Sequence, residues 1–118
     1  MAGTALLNTV VVANGATKST PHELNGAEVV GIILPSAMTS TTMTFEMAMQ
    51  QTSDRALVNA DWHEVNSTAS SAFSVTFAAN EWIVVDPNAL SGCQFLRLVM
   101  GSAEGADRTI GLVTRSRA

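Results

Sequence analysis

Along this chain the apolar positions recur mostly at a spacing of two. The stretch Thr42–Gln50, TMTFEMAMQ, shows it best, because Met43, Phe45, Met47 and Met49 alternate with Thr42, Thr44, Glu46 and Ala48. Methionine and alanine tolerate helix well, but a two-residue period sets one side of a pleated strand against a core, and strand preference mostly measures that fit. A strand is predicted there. Two dipeptides that accept the positive φ angles of tight turns, Asn14-Gly15 and Asn25-Gly26, separate Leu6–Ala13, Ala16–Thr20 and Ala27–Pro35. Pro21 cannot donate to a ladder, so it ends the second segment or keeps it at an edge. The third, AEVVGIILP, is almost continuously apolar, as in a strand covered on both faces, and Pro35 terminates it.

Further strands are predicted at Asp61–Val65, Phe73–Phe77, Glu81–Asp86, Gln94–Met100 and Thr109–Arg115, each bounded by Asn, Gly, Ser or Asp. In DPNALSG, Asp86 can cap, Pro87 suits the first helical position and Gly92 supplies a left-handed exit. One short helical turn near Pro87–Ser91, crossing between two sheets, is the consequence. Evenly spaced short strands of this kind predict an all-β fold, a β-sandwich or jelly-roll-like arrangement of about eight antiparallel strands. The chain has no internal repeat and no linker, so one domain over 1–118 is expected, with flexible ends at 1–7 and 116–118.

Composition adds that this fold can be self-sufficient. Leu, Ile, Val and Phe make up 29 of 118 residues, about a quarter and above the roughly 20% below which disorder is expected. Charged residues are only 14%, well under the usual level of about 25%, while Ser and Thr number 24. Such a hydroxyl-rich, weakly charged surface meets other protein readily. The net charge of −4 and the lack of a Lys/Arg cluster exclude the concentrated basic face that nucleic acid requires. Arg115 and Arg117 come nearest, and they read as a solvated tail or as hooks for acidic residues on a partner. The run MAGTALLNTVVVANG has no basic lead and is broken by Asn8 and Thr9, so neither a signal peptide nor a membrane span is expected. Asn66-Ser67-Thr68 fits a glycosylation acceptor, a pattern with meaning only in a secreted chain.

Little in the sequence points to chemistry. Asp61, His63 and Glu64 crowd into DWHEV, but on a strand only Asp61 and His63 would share a face, short of the three or four ligands of a zinc site. His22 is the only other histidine. Cys93 is the lone cysteine, so no intramolecular disulfide can form, and its apolar neighbours Phe95, Leu96 and Leu98 predict a buried, unreactive thiol rather than a nucleophile paired with His63. There is no phosphate-cradling glycine loop, no Gly-x-Ser-x-Gly elbow and no telling carboxylate pair, so neither catalysis nor a cofactor or metal is expected. Trp62 and Trp82 raise sugar stacking or interface anchoring as alternatives. Trp82, sharing a strand face with Val84, is expected in the core. Met38, Met43, Met47 and Met49 read either as core filler or as an adaptable docking face.

Taken in order, VVGIILPSAMTSTTMTFEMAM, DWHEV, WIVVDPNALSGCQFLRLVMGS and ADRTIGLVTR resemble small structural proteins encoded near the capsid genes of tailed bacteriophages. The closing segments are the most specific: an Asp-Pro turn, a Phe-Leu-Arg-Leu strand, and Ala-Asp-Arg before the last strand. The likeness covers about Asn14 to Arg115, while Lys18-Ser19-Thr20 and the methionine-rich strand lie outside its pattern. It implies a virion component made in the host cytoplasm, of the capsid decoration or cement type, with the major capsid protein as partner and a homotrimer as the assembled state. It carries no active-site residues. A head-fibre base, a tail part and a carbohydrate-binding module are the competing expectations.

Overall fold

A computed structural model of the chain describes residues 5–50, 56–68, 71–90 and 94–116. Eleven strands run through them: β1 (Ala5–Val12), β2 (His22–Glu23), β3 (Glu28–Ile33), β4 (Thr42–Ala48), β5 (Trp62–Glu64), β6 (Asn66–Thr68), β7 (Ser71–Ala72), β8 (Val75–Thr76), β9 (Trp82–Val84), β10 (Phe95–Met100) and β11 (Arg108–Arg115). Every pairing is antiparallel, and the fold is all-β. One sheet has the order β1-β11-β3-β9, and the other has β2-β10-β4-β5 with β8 also on β4. Apart from the β6–β7 hairpin, which forms a small sheet of its own, successive strands change sheets at almost every connection, with β4 to β5 staying in one. That is the strand order of a jelly roll, with the β6–β7 hairpin and β8 inserted before β9.

The core lies between the sheets. From the four-stranded sheet Val10, Val12, Ile32, Ile110 and Leu112 point inward, against Met43, Phe45, Leu96, Leu98 and Met100 from the other. The period-two reading of Thr42–Gln50 holds, and it decides the role of the methionines: Met43 is fully buried and Met47 packs on the core, so their row is filler between sheets and not a docking face. Met49 falls just past β4, exposed, where its sulfur accepts the Gln94 N–H at 3.1 Å.

The turn dipeptides act where predicted. Gly15 (φ 82°) occupies the third position of a turn closed by Ala16 N–H on the Ala13 carbonyl, and Asn25 (φ 49°) and Gly26 (φ 80°) form the turn closed by Ala27 on Leu24. Beyond the first turn the chain keeps to β10, with Met100 and Ser19 N–H groups bonding Thr17 and Leu98 carbonyls, and after Pro21 it resumes as β2 at the sheet edge. Three expectations need correction. Ala5–Leu7, assigned to a flexible end, are the first residues of β1 and pair with Arg115–Val113, because the β11 edge offers them a complete ladder. Asp86 does cap, its carboxylate accepting Asn88 N–H and its carbonyl accepting Ala89 N–H, but Pro87–Leu90 form only a hydrogen-bonded turn; Ser91 to Cys93 lie outside the described residues. Asp61 belongs to a 3-10 turn (Asn59–Asp61) ahead of β5, where its carboxylate accepts Val58 N–H at 2.8 Å.

Three loops meet at one end of the sandwich around Glu104, which is 1% exposed. Its carboxylate accepts Thr39 N–H and Ser40 N–H, each at 2.8 Å, and Arg108 Nε–H at 2.9 Å. Its backbone bonds Gly15 and Ala16. Burial works to raise its carboxyl, but these donors outweigh it and hold the group below its ordinary value.

Candidate functional site

The two outer faces of the sandwich differ in kind. On the β2-β10-β4-β5 sheet the outward positions carry charge, gathered around one ion-paired cluster. Arg97 donates Nε–H to Glu46 at 2.6 Å, Lys18 lies 3.5 Å from the same oxygen, and the Arg97 guanidinium sits 4.2 Å from the centre of the Trp62 ring. Trp62 is thus half-buried beneath an arginine and is not an open stacking platform. Arg97→Ala is expected to cost about 1 kcal/mol in a urea titration, from the lost cation–π contact and ion pair, with a red-shifted tryptophan emission.

The outer face of the β1-β11-β3-β9 sheet has no such partners. Register sets its side chains in two rows across four strands, Leu7, Val113, Gly31 and Val84 in one and Thr9, Gly111, Ile33 and Trp82 in the next. Leu7 is 64% exposed, Trp82 62% and Val84 83%. The shared face of Trp82 and Val84 is as the alternation requires, but it points outward. The core assignment of Trp82 is therefore corrected: its neighbour Ile83 takes the inward side and packs on the core.

Each row contains one glycine, and each glycine makes room for a side chain from the other row. A Cβ on Gly31 would lie 2.7 Å from Trp82 Nε1, and one on Gly111 would lie 3.0 Å from Leu7 Cδ1 and 3.2 Å from Ile33 Cβ. Trp82 and Leu7 thus lean inward from opposite edges and cover bare backbone, the device by which an aromatic side chain compensates a strand glycine. The result is a shallow apolar surface without a charge in either row. At its end Arg115 donates Nε–H to Glu28 at 2.9 Å, a pair neutralised within the chain, so Arg115 already has an acidic partner of its own. Arg117 lies outside the described residues.

The sequence flagged Trp82 and Val84 but missed Leu7, Ile33, Val113 and both glycines. The signal was present in VVGII and TIGLV, since a glycine inside a β-branched strand marks a place where something approaches the backbone closely.

The remaining candidates do not converge. His63 and Glu64 are exposed on β5, Asp61 is turned into its own loop, and His22 lies on β2, its pKa lowered by burial against an opposing effect of Glu23. Among the described residues no group of three or more His, Cys, Asp or Glu side chains is placed to hold a metal ion, and no helix is long and apolar enough to cross a membrane. Cys93, expected as a buried thiol, lies outside the described residues. A groove of about 410 Å³ runs past Asn66, Phe73, Asp86 and Asn88.

In structure the chain is similar to the SPBc2 prophage-derived protein YomS, known from its crystal structure. The TM-score is 0.52 with 14% sequence identity, and the match covers 96% of each chain. No protein-family model matches the sequence, and no curated protein does.

Proposed function

We propose that this chain is a bacteriophage virion structural protein of the decoration type, which binds the outer surface of the shell formed by the major capsid protein and stabilises it. The observation that carries this reading is the uncharged face of Leu7, Ile33, Trp82 and Val84 left open on the outer side of a jelly roll. A surface patch of that kind on a small sandwich is suited to assembly rather than to turnover. The likeness in fold to a prophage-derived protein over nearly the whole length of both chains favours the same setting, as does the resemblance in sequence to capsid-proximal phage proteins.

The action is mechanical. A closed oligomer presents several copies of one docking surface, and linkage of that sort raises avidity by roughly 10²–10⁴ without new contact types. Stabilisation of the shell follows by mass action, because the protein binds the intact lattice and not its separated subunits. Purified heads lacking the protein should bind it saturably in co-sedimentation and then disrupt at a higher temperature in calorimetry. Heads that neither bind it nor gain heat resistance would refute the reading.

One feature favours glycan binding as a second reading: the groove past Asn66, Phe73, Asp86 and Asn88 combines amide and carboxylate groups with an aromatic ring. Titration calorimetry with polysaccharides should then give heat that Asp86→Ala removes. The Trp82 face suits this role less, since Ile33, Gly31 and Val84 around it carry no side-chain polar group for sugar hydroxyls.

A further inference from the structure

We infer that the outer face of the β1-β11-β3-β9 sheet is the contact between copies of this chain, so that its partner is the same face on another protomer. The inference rests on the assembly reading above and names the surface that builds the oligomer, as distinct from the surface that meets a shell.

Charge is the first argument. A partner of different sequence is usually selected through complementary charges, and this face offers none to complement. Contacts between identical subunits are instead depleted in charge and more apolar than other interfaces. Here both rows consist of Leu, Ile, Val, Trp, Thr and Gly, and the Glu28–Arg115 pair at the end is neutralised internally. Setting the face against its own copy therefore brings no like charges together, a condition that charged surfaces rarely meet when a symmetry axis pairs them with themselves. The opposite face, with Lys18, Glu46 and Arg97 in a cluster, would lay its charges against identical ones.

Size and shape agree. The exposed parts of Leu7, Trp82 and Val84 come to on the order of 400 Å², the size of the apolar patches that are often functional on small soluble proteins, and form the apolar centre of the contact. With the dips over Gly31 and Gly111 occupied by Trp82 and Leu7, the surface is level enough for sheet-on-sheet packing. Two copies face to face about a two-fold axis bury this face against itself, whereas a ring of three would set it against a different patch.

Sedimentation equilibrium over about 1 to 200 µM tests it, a range that captures micromolar association. The full chain should sediment as a dimer in the upper part of that range. Val84→Glu, at an 83% exposed position of a short edge strand, should weaken association at least about tenfold, and Thr9→Glu on the far edge of the same face should do likewise, which guards against a folding defect in either variant. Glu64→Lys on the other sheet should leave association unchanged. A chain that stays monomeric throughout, or variants on this face that associate as the parent does, would overturn the inference. So would an equal loss in Glu64→Lys. The head-binding assay separates the two ideas, because a monomer that still decorates heads removes only this inference, and an oligomer that ignores heads removes only the decoration reading.

Discussion

Glu104→Gln is expected to cost about 3 kcal/mol of unfolding free energy near neutral pH, as when one member of a buried, hydrogen-bonded charge pair is removed. The carboxylate takes three donors, Thr39 N–H and Ser40 N–H from one loop and Arg108 Nε–H from the start of β11. An amide can accept at one oxygen, while its NH2 group would face a backbone N–H or the guanidinium, donor against donor. Acid should erase the difference. Because the folded carboxyl lies below the ordinary value of 4.5, its contribution to stability is complete above that value and is lost as the pH falls through the lower folded one. Urea titrations from neutral to acid pH should therefore show the parent and Glu104→Gln converging below about pH 4.5. Protonation of His22 is common to both proteins and cancels in the comparison. A gap that stays constant into strong acid would mean that the charge of Glu104 is not what holds the loops.

Phe45→Ala should be more damaging still, at about 3–5 kcal/mol. Phe45 is fully buried, lies opposite Leu98 in the β4–β10 ladder, and stacks on Phe73 with ring centroids 5.4 Å apart. Truncation opens a cavity between the sheets that the jelly roll cannot close, since both walls are held by their own ladders. With a total stability of roughly 5–15 kcal/mol for a domain of this kind, such a loss removes much of the folded population's margin. Met49→Ala, one turn of the pattern beyond the core, is expected to stay within about 0.5 kcal/mol. Chemical denaturation of both variants at unchanged m-value is the measurement, and equal effects at the two positions would contradict the assignment of the methionine row to the core.

These two sites differ in how legible they were. Phe45 announces itself, because four alternating apolar residues within one short segment specify a face without reference to anything distant. Glu104 does not. It sits in GSAEGADR with no local mark, and its partners Thr39 and Ser40 are more than sixty positions away. The same division separates Trp62 from Trp82. Alternation paired Trp82 with Val84 correctly, yet nothing in EWIVVD says which side of its sheet will be covered, and large aromatic area argued for the wrong one. Asp61 was misread for a related reason: a strand pattern was extended through DWHEV, but a side-chain acceptor two residues before His63 stabilises a local turn in place of a ladder.

What the sequence determined by itself is everything carried by near neighbours: the all-β class, the turns at Asn14-Gly15 and Asn25-Gly26, the inward row of Met43, Phe45 and Met47, and the absence of any recognisable catalytic spacing. Only the tertiary structure decided which strands lie side by side, and with that which outer face is left apolar, because register brings Leu7, Val113, Gly31 and Val84 into one row from four remote segments. A period of two tells a strand that it has two faces. The sheet packed against it chooses which one is buried.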